Sequence, residues 1–143
     1  MPRRKKTKKV EEKNKALNEQ LAEIVDGLIY ISETDAAITP FAGKTADAVT
    51  KENLASQIGP SGTTNVEEKD FNKFFAPLVK FQDWFGEDER KMTEKFVRLK
   101  DLLQQNLRDL KVFKVGEKDL EIYIIGLDQE NILRGVRTQA VET

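Results

Sequence analysis

The spacing of apolar residues changes along this chain, from a helical period in its first two thirds to a strand-like period in its last third. A helix with one buried face repeats its apolar residues every three or four positions, whereas a strand with one buried face alternates them. When helices come first and strands last, the helices pack onto the sheet that follows them. The sequence therefore predicts one α+β domain, with helices on one face of the sheet or on both.

Four helices are predicted, and the first has its apolar stripe at Leu17, Leu21, Ile24 and Leu28. It either ends at Asp26-Gly27, because glycine tolerates the left-handed backbone of a helix end, or runs on through Leu28. A short second helix over residues 51–58 has Thr50 as its cap. The rest of the stretch from 38 to 64 is predicted to form loops.

The third and fourth helices precede the strands. Asp70 caps the third helix, and Pro77 keeps it short. The fourth runs from about Glu87 to Leu107, and Glu87 and Lys91 form an ion pair on its outer face. Three strands follow, joined by turns at 116–118 and 128–131, and they are predicted over residues 111–115, 119–125 and 132–140. Such short connections predict a C-terminal antiparallel meander.

The composition argues against an enzyme. The chain has no histidine, which removes the commonest general base and the usual partner of a nucleophilic serine. It has no cysteine, which removes thiolate nucleophiles, zinc-thiolate sites and disulfides. Only carboxylates, lysines and tyrosines remain for chemistry. We therefore expect a binding protein without a cofactor, without a small-molecule substrate and without a metal of its own.

The charge is unevenly distributed. Residues 1 to 15 carry 8 basic and 2 acidic side chains, whereas the remainder carries 16 basic and 23 acidic ones. Residues 1–14 are predicted to be a disordered basic tail, because so few apolar residues cannot offset the ordering entropy, and residues 15–143 a single domain. The tail is a nuclear-import address, a solubilising extension or an arm that touches nucleic acid through Arg3, Arg4, Lys5, Lys6, Lys8 and Lys9.

The sequence contains no apolar run of about 18 residues and no secretory signal at its start. We expect an intracellular protein that has no membrane partner. The expected location is the cytoplasm, or the nucleus if the source is eukaryotic.

The sequence resembles the nuclease A inhibitor family, whose members bind and block sugar-non-specific DNA/RNA endonucleases. The resemblance covers residues 17 to 143 in order, and its segments are Asp26-Gly27-Leu28-Ile29-Tyr30-Ile31-Ser32-Glu33, Gln82-Asp83-Trp84, Gly116-Glu117 with Leu120-Glu121-Ile122-Tyr123-Ile124-Ile125-Gly126, and Val141-Glu142-Thr143. The stretch from 40 to 64 matches poorly and lacks the aromatic strand expected after Pro40-Phe41. The family implies a three-layer α/β/α sandwich with a largely antiparallel sheet, and a one-to-one complex with a plugged nuclease.

The resemblance also implies four nuclease-binding residues. Glu33 would face nuclease arginines, and the alternative is an ordinary loop carboxylate. Gln82 and Trp84 would pack on the nuclease surface, and the alternative for Trp84 is the core, on one helical face with Phe81 and Phe85. Thr143 would enter the active site and reach the metal of the target nuclease.

The charge of the body agrees with this function. A nuclease that accepts any sequence grips phosphates with arginine and lysine, so an acidic protein suits its cleft. The rival hypothesis is a nucleic-acid-binding or nuclear accessory protein that acts through the basic tail. The acidic body argues against it, because that body would repel DNA.

Overall fold

The computed structural model describes residues 17–58 and 65–142. All four predicted helices form in these ranges. They are α1, described over residues 17–25, α2 (Lys51–Ile58), α3 (Phe71–Phe75) and α4 (Glu87–Asn106). No helix in the described ranges is long and apolar enough to cross a membrane. The basic tail, residues 1–14, lies outside the described residues, and so does Thr143.

The helix ends follow the local signals in the sequence. Helix α1 ends before Gly27, whose φ of 76° is left-handed, and the Leu28 N–H donates to the Val25 carbonyl at 2.9 Å. The predicted exit is therefore confirmed, and the helix does not run on through Leu28. Both predicted caps are also confirmed. Thr50 Oγ1 accepts from a backbone N–H of α2 at 3.1 Å, and Asp70 Oδ2 accepts from one of α3 at 2.9 Å.

Seven strands are described, in two antiparallel sheets. The small sheet is a hairpin of β1 (Ile29–Ile31) and β2 (Asp35–Ala37). The larger sheet has the order β3-β7-β6-β5-β4. Its strands are β3 (Thr39–Thr45), β4 (Val66–Lys69), β5 (Arg108–Val115), β6 (Asp119–Leu127) and β7 (Ile132–Val141). The predicted C-terminal meander is confirmed as β5, β6 and β7.

The prediction of loops from residue 38 to 64 is wrong over β3, a strand that contains Pro40-Phe41 but no aromatic residue after Phe41. Strand β3 is an edge strand that pairs only with β7, and an edge tolerates a proline, which donates no backbone hydrogen bond. Phe41 packs edge-on against Tyr123 at a centroid distance of 5.2 Å. Strand β4, at the opposite edge of the sheet, was not predicted, because its sequence Val-Glu-Glu-Lys contains a single apolar residue.

The core consists of two clusters that take alternate residues from the larger sheet. Ile122 and Ile124 of β6 pack in a first cluster with residues of α1, α3 and α4. Tyr123 and Ile125 pack in a second cluster with Leu54 of α2. Neighbouring side chains of a strand point to opposite faces of a sheet, so the two clusters lie on its two faces. The protein is thus an α+β domain whose sheet is apolar on both faces.

Candidate functional site

One edge of β7 is completed by two different segments. From Ile132 to Arg137 this edge pairs with β3. Beyond Arg137, the hairpin of β1 and β2 lies along this edge instead. Thr138 Oγ1 donates to the Ala37 carbonyl at 3.0 Å, and the Val141 N–H donates to Ser32 Oγ at 3.0 Å. The turn of the hairpin therefore lies against the last residues of β7.

The turn at residues 32–34 is closed by its own hydrogen bonds. The Ser32 N–H and the Ser32 hydroxyl both lie 3.0 Å from the Thr34 carbonyl oxygen, and both donate to it. The Glu33 N–H donates to the Val141 carbonyl at 3.4 Å. Glu33, the first predicted binding residue, is exposed in the middle of this turn. The structure thus places Glu33 next to the segment that leads to Thr143.

The C-terminal segment is fixed up to residue 142. The Glu142 N–H donates to the Lys118 carbonyl at 3.0 Å, and the Glu142 carboxylate pairs with Lys114 Nζ at 2.7 Å. The Lys114 side chain is mostly buried, so this ion pair is better shielded from solvent than an ordinary surface pair. Thr143, the last predicted binding residue, follows directly on this fixed segment.

Tyr30 connects the hairpin to the helical side of the protein. Its ring stacks on Phe74 of α3 with a centroid distance of 5.7 Å and an interplanar angle of 15°. Burial raises the pKa of Tyr30, Lys114 opposes this rise and Glu142 adds to it. Tyr30 therefore lies within electrostatic range of the ion pair that holds the C-terminal segment.

Three shallow grooves surround these contacts, and we call their combined surface the acidic end. Their volumes are about 490, 380 and 440 Å³. Thr34 lines two of the three. The carboxylates in the linings are Asp35, Glu67, Glu117, Asp119, Glu121 and Glu142. The cations that the linings contain among the described residues are Lys114 and Arg137. The acidic end is thus suited to a basic partner surface.

Several polar groups of the acidic end are paired with one another. Within residues 17–58 and 65–142, no group of three or more histidine, cysteine, aspartate or glutamate side chains is placed to hold a metal ion. Arg137 pairs with Glu121 at 3.4 Å, and the Tyr123 hydroxyl donates to Glu121 at 2.7 Å. Burial and the Glu121 hydrogen bond raise the pKa of Tyr123 to about 12, so its hydroxyl stays protonated at neutral pH. Glu121, Tyr123 and Arg137 thus hold one another in place.

Gln82 and Trp84 lie in the connection between α3 and α4. The chain is not helical there, so the shared helical face expected for Phe81, Trp84 and Phe85 is wrong. The Phe85 N–H donates to the Gln82 carbonyl at 3.1 Å, and this turn brings the ring of Trp84 edge-on to Phe85 at 4.7 Å. Trp84 is 74% exposed, which excludes the core alternative.

Two residues beside the acidic end carried no prediction of their own. Ile31 is 71% exposed directly before the turn, at the end of the apolar run that begins at Leu28. Ser32 supplies the hydroxyl between Thr34 and Val141, and it was noted only as part of a matched segment. The only sequence signal for Ile31 and Ser32 was their position immediately before Glu33.

Comparison with protein families gives one match. A family model described as nuclease A inhibitor-like protein matches residues 15–143. The match begins where the basic tail ends, and it includes Glu33, Gln82, Trp84 and Thr143. No curated protein matches the chain.

Proposed function

Because the chain belongs to the nuclease A inhibitor-like family, whose members are nuclease inhibitors and not enzymes, we propose that it plugs the active site of a metal-dependent, sugar-non-specific DNA/RNA endonuclease. The partner is a nuclease bound one to one. The family match over residues 15–143 carries this proposal. The mode of binding rests on the geometry of the acidic end and on the exposure of Trp84.

The position of Glu33 beside the C-terminal segment supports the plug. Ser32 and Val141 are 109 residues apart in the sequence, yet they are joined by a hydrogen bond. Glu33 comes directly after Ser32 in the sequence, and Thr143 comes two residues after Val141. A cleft made for a phosphodiester is narrow, so a plug needs its contacting segments close together.

The charge of the acidic end supports a cationic target. A nuclease without sequence preference holds phosphates through arginine and lysine side chains around a divalent metal. The groove linings hold six carboxylates against two cations, and this excess of negative charge attracts such a cleft during diffusion and raises the association rate. Carboxylates that are buried against arginines in the complex then slow dissociation.

Each predicted residue has a distinct role in this proposal. Glu33 pairs with arginines of the nuclease, in place of a substrate phosphate. Thr143 offers oxygen ligands to the nuclease metal, since ions of the magnesium class prefer oxygen. Trp84, with Gln82 beside it, is an aromatic anchor, a type of residue enriched at interface hot spots. Any contact of the basic tail with a partner would be made by residues 1–14, which lie outside the described ranges.

The two core clusters support a further detail of the family fold. We propose that the larger sheet is the middle layer of an α/β/α sandwich, with α1, α3 and α4 in one outer layer and α2 in the other. Residues of these helices pack with opposite faces of the same strands, which is the arrangement that such layers require.

Stoichiometric inhibition tests the proposed function. A fixed amount of a metal-dependent non-specific nuclease is titrated with the purified protein, and DNA cleavage is measured at two DNA concentrations. Inhibition should reach its plateau near one inhibitor per nuclease at both concentrations, and pull-down should recover the complex. Inhibition that fades with excess DNA, together with tight and salt-sensitive DNA binding by the protein alone, would refute the proposal in favour of binding to nucleic acid.

A further inference from the structure

We infer that Ser32 is a positioning residue, whose hydroxyl joins the Glu33 turn to the C-terminal segment so that the two meet the nuclease as one rigid surface. This inference rests on the proposed function. It assigns no contact with the nuclease to Ser32 itself. Ser32 acts through Glu33 and through the residues after Val141.

The hydroxyl of Ser32 forms hydrogen bonds to both segments. It donates to the Thr34 carbonyl at 3.0 Å and accepts from the Val141 N–H at 3.0 Å. A serine hydroxyl has one donor and two acceptor lone pairs, so a single oxygen serves both segments at once. Alanine at this position would leave the Val141 N–H without this partner, because β3 has already ended at Thr39 and cannot supply another.

The connection is local, because the base of the hairpin is held independently. Leu28 and Ile38 are buried in the core, and the Ile38 N–H donates to the Leu28 carbonyl at 3.3 Å. Thr138 Oγ1 fixes Ala37 from β7. Loss of the Ser32 hydroxyl should therefore loosen the Glu33 turn from the C-terminal segment, which Glu142 still holds to Lys118 and Lys114, while the fold remains intact.

Freedom of the Glu33 turn relative to the C-terminal segment matters for binding more than for folding. Residues that are already fixed in the free protein lose little conformational entropy when they are captured, whereas loose segments must be ordered at the expense of affinity. The Glu33 N–H bond to the Val141 carbonyl, at 3.4 Å, is long and does not replace the serine contact. The geometry thus assigns to Ser32 the preorganisation of the Glu33 turn against the C-terminal segment.

The first test measures inhibition by S32A, S32T and two control variants. S32A should inhibit at least tenfold more weakly, and S32T, which keeps the hydroxyl, should stay within threefold of the unaltered protein. S56A is the matched control, because Ser56 is exposed and its hydroxyl donates to the Asn53 carbonyl at 2.8 Å in α2. T138V is the second comparison: it removes the other side-chain bond between β7 and the hairpin, at the base that Leu28 and Ile38 also hold, and it should weaken inhibition less than S32A. S56A should inhibit normally.

The second test asks whether Ser32 acts through Glu33. E33A is made in the unaltered protein and in the S32A background, and the loss of inhibition is compared. The factor lost on removing Glu33 should be at least threefold smaller in the S32A background, since Glu33 is then already poorly positioned. Equal factors in the two backgrounds would overturn the positioning role.

The third test needs no nuclease. Amide hydrogen exchange of the free protein should speed up at least tenfold at Val141 in S32A, while Ile124 in the middle of β6 keeps its protection. Unchanged exchange at Val141, or normal inhibition by S32A, overturns the inference and leaves the proposed function intact. Absence of inhibition by the unaltered protein overturns the proposed function, and the exchange result then still decides whether Ser32 holds the two segments together.

Discussion

Trp84→Ala should weaken nuclease binding strongly and change folding little. Trp84 is 74% exposed, and its indole packs edge-on against Phe85. An aromatic pair of this kind contributes about 0.5 to 1.5 kcal/mol, which sets the expected loss of folding stability. Because most of the ring is in solvent, most of its apolar surface is available to a partner.

The effect on binding follows from that available surface. A tryptophan buries about 150 to 250 Å² when it is fully covered, so the exposed part is about 110 to 185 Å². At about 25 cal/mol per Å², covering it contributes about 3 to 4.5 kcal/mol. Incomplete covering lowers this figure to about 2 to 4 kcal/mol, the range of interface hot spots. The dissociation constant should therefore rise about 30-fold to 1,000-fold.

The assay can use the fact that Trp84 is the single tryptophan of the chain. Protein labelled with 5-fluorotryptophan gives one ¹⁹F resonance, which should shift and broaden when a catalytically inert nuclease is added. Titration calorimetry then compares the unaltered protein with W84A, and urea unfolding monitors the stability of both.

Phe81→Ala is the matched control for this experiment. Phe81 is 51% exposed in the same connection but lies outside the Gln82-Asp83-Trp84 segment, so its loss should weaken binding less than threefold. Binding by W84A within twofold of the unaltered protein, together with an unchanged ¹⁹F resonance, would place Trp84 outside the interface and refute the reasoning.

Four further predictions concern other parts of the chain. Glu33→Ala should cost about 2 to 5 kcal/mol of binding because nuclease arginines lose their partner, and a loss under about 0.5 kcal/mol in calorimetry would make Glu33 a bystander. Two glycines appended after Thr143 should weaken inhibition at least tenfold, about 1.4 kcal/mol, without a change in melting temperature, and unchanged inhibition would remove Thr143 from the site. Deletion of residues 1–14 should preserve inhibition and melting temperature, because the family match begins at residue 15, and a large loss of either would contradict this. Asp128→Ala should cost about 3 to 5 kcal/mol in urea unfolding, because the Asp128 carboxylate is buried and pairs with Arg134, and a cost under about 1 kcal/mol would show that the pair is dispensable.

Local chemistry made the helices and the meander predictable from the sequence. Thr50 and Asp70 cap α2 and α3 through hydrogen bonds to residues three positions away, so nothing distant is needed to recognise them. The left-handed Gly27 ends α1 in the same local way. Strands β5 to β7 are joined by short turns and rich in β-branched residues, which identifies a meander without tertiary information.

The edge strands were not predictable by the same means. Strand β3 contains Pro40 and Gly43, which are typical of loops, and it becomes a strand because β7, 87 to 98 positions away along the chain, pairs with it. Gln57 then covers its outer edge, accepting from the Lys44 N–H at 2.8 Å and donating to the Lys44 carbonyl at 3.1 Å. Such strands are defined by tertiary pairing and leave only a weak pattern in the sequence.

The candidate site was likewise predictable only in part. Glu33, Gln82, Trp84 and Thr143 came from the family resemblance, which transfers residues and not distances. The helical spacing of Trp84 was misleading, because Gln82 and Phe85 close a turn where a helix was expected. The hydrogen bond between Ser32 and Val141 joins residues 109 positions apart and involves a backbone N–H, so no side-chain pattern in the sequence predicts it.

The two recognition features of this protein should act on different steps of binding. The groove carboxylates of the acidic end are spread over a wide surface, and their attraction to a cationic cleft acts at long range and is screened by salt. Trp84 exerts no long-range force and contributes only once its surface is covered. Added salt should therefore slow association of the unaltered protein and of W84A by the same factor, whereas the loss of the indole should speed dissociation at every salt concentration. This separation follows from placing the charges on the end of the sheet and the aromatic anchor on the turn between α3 and α4.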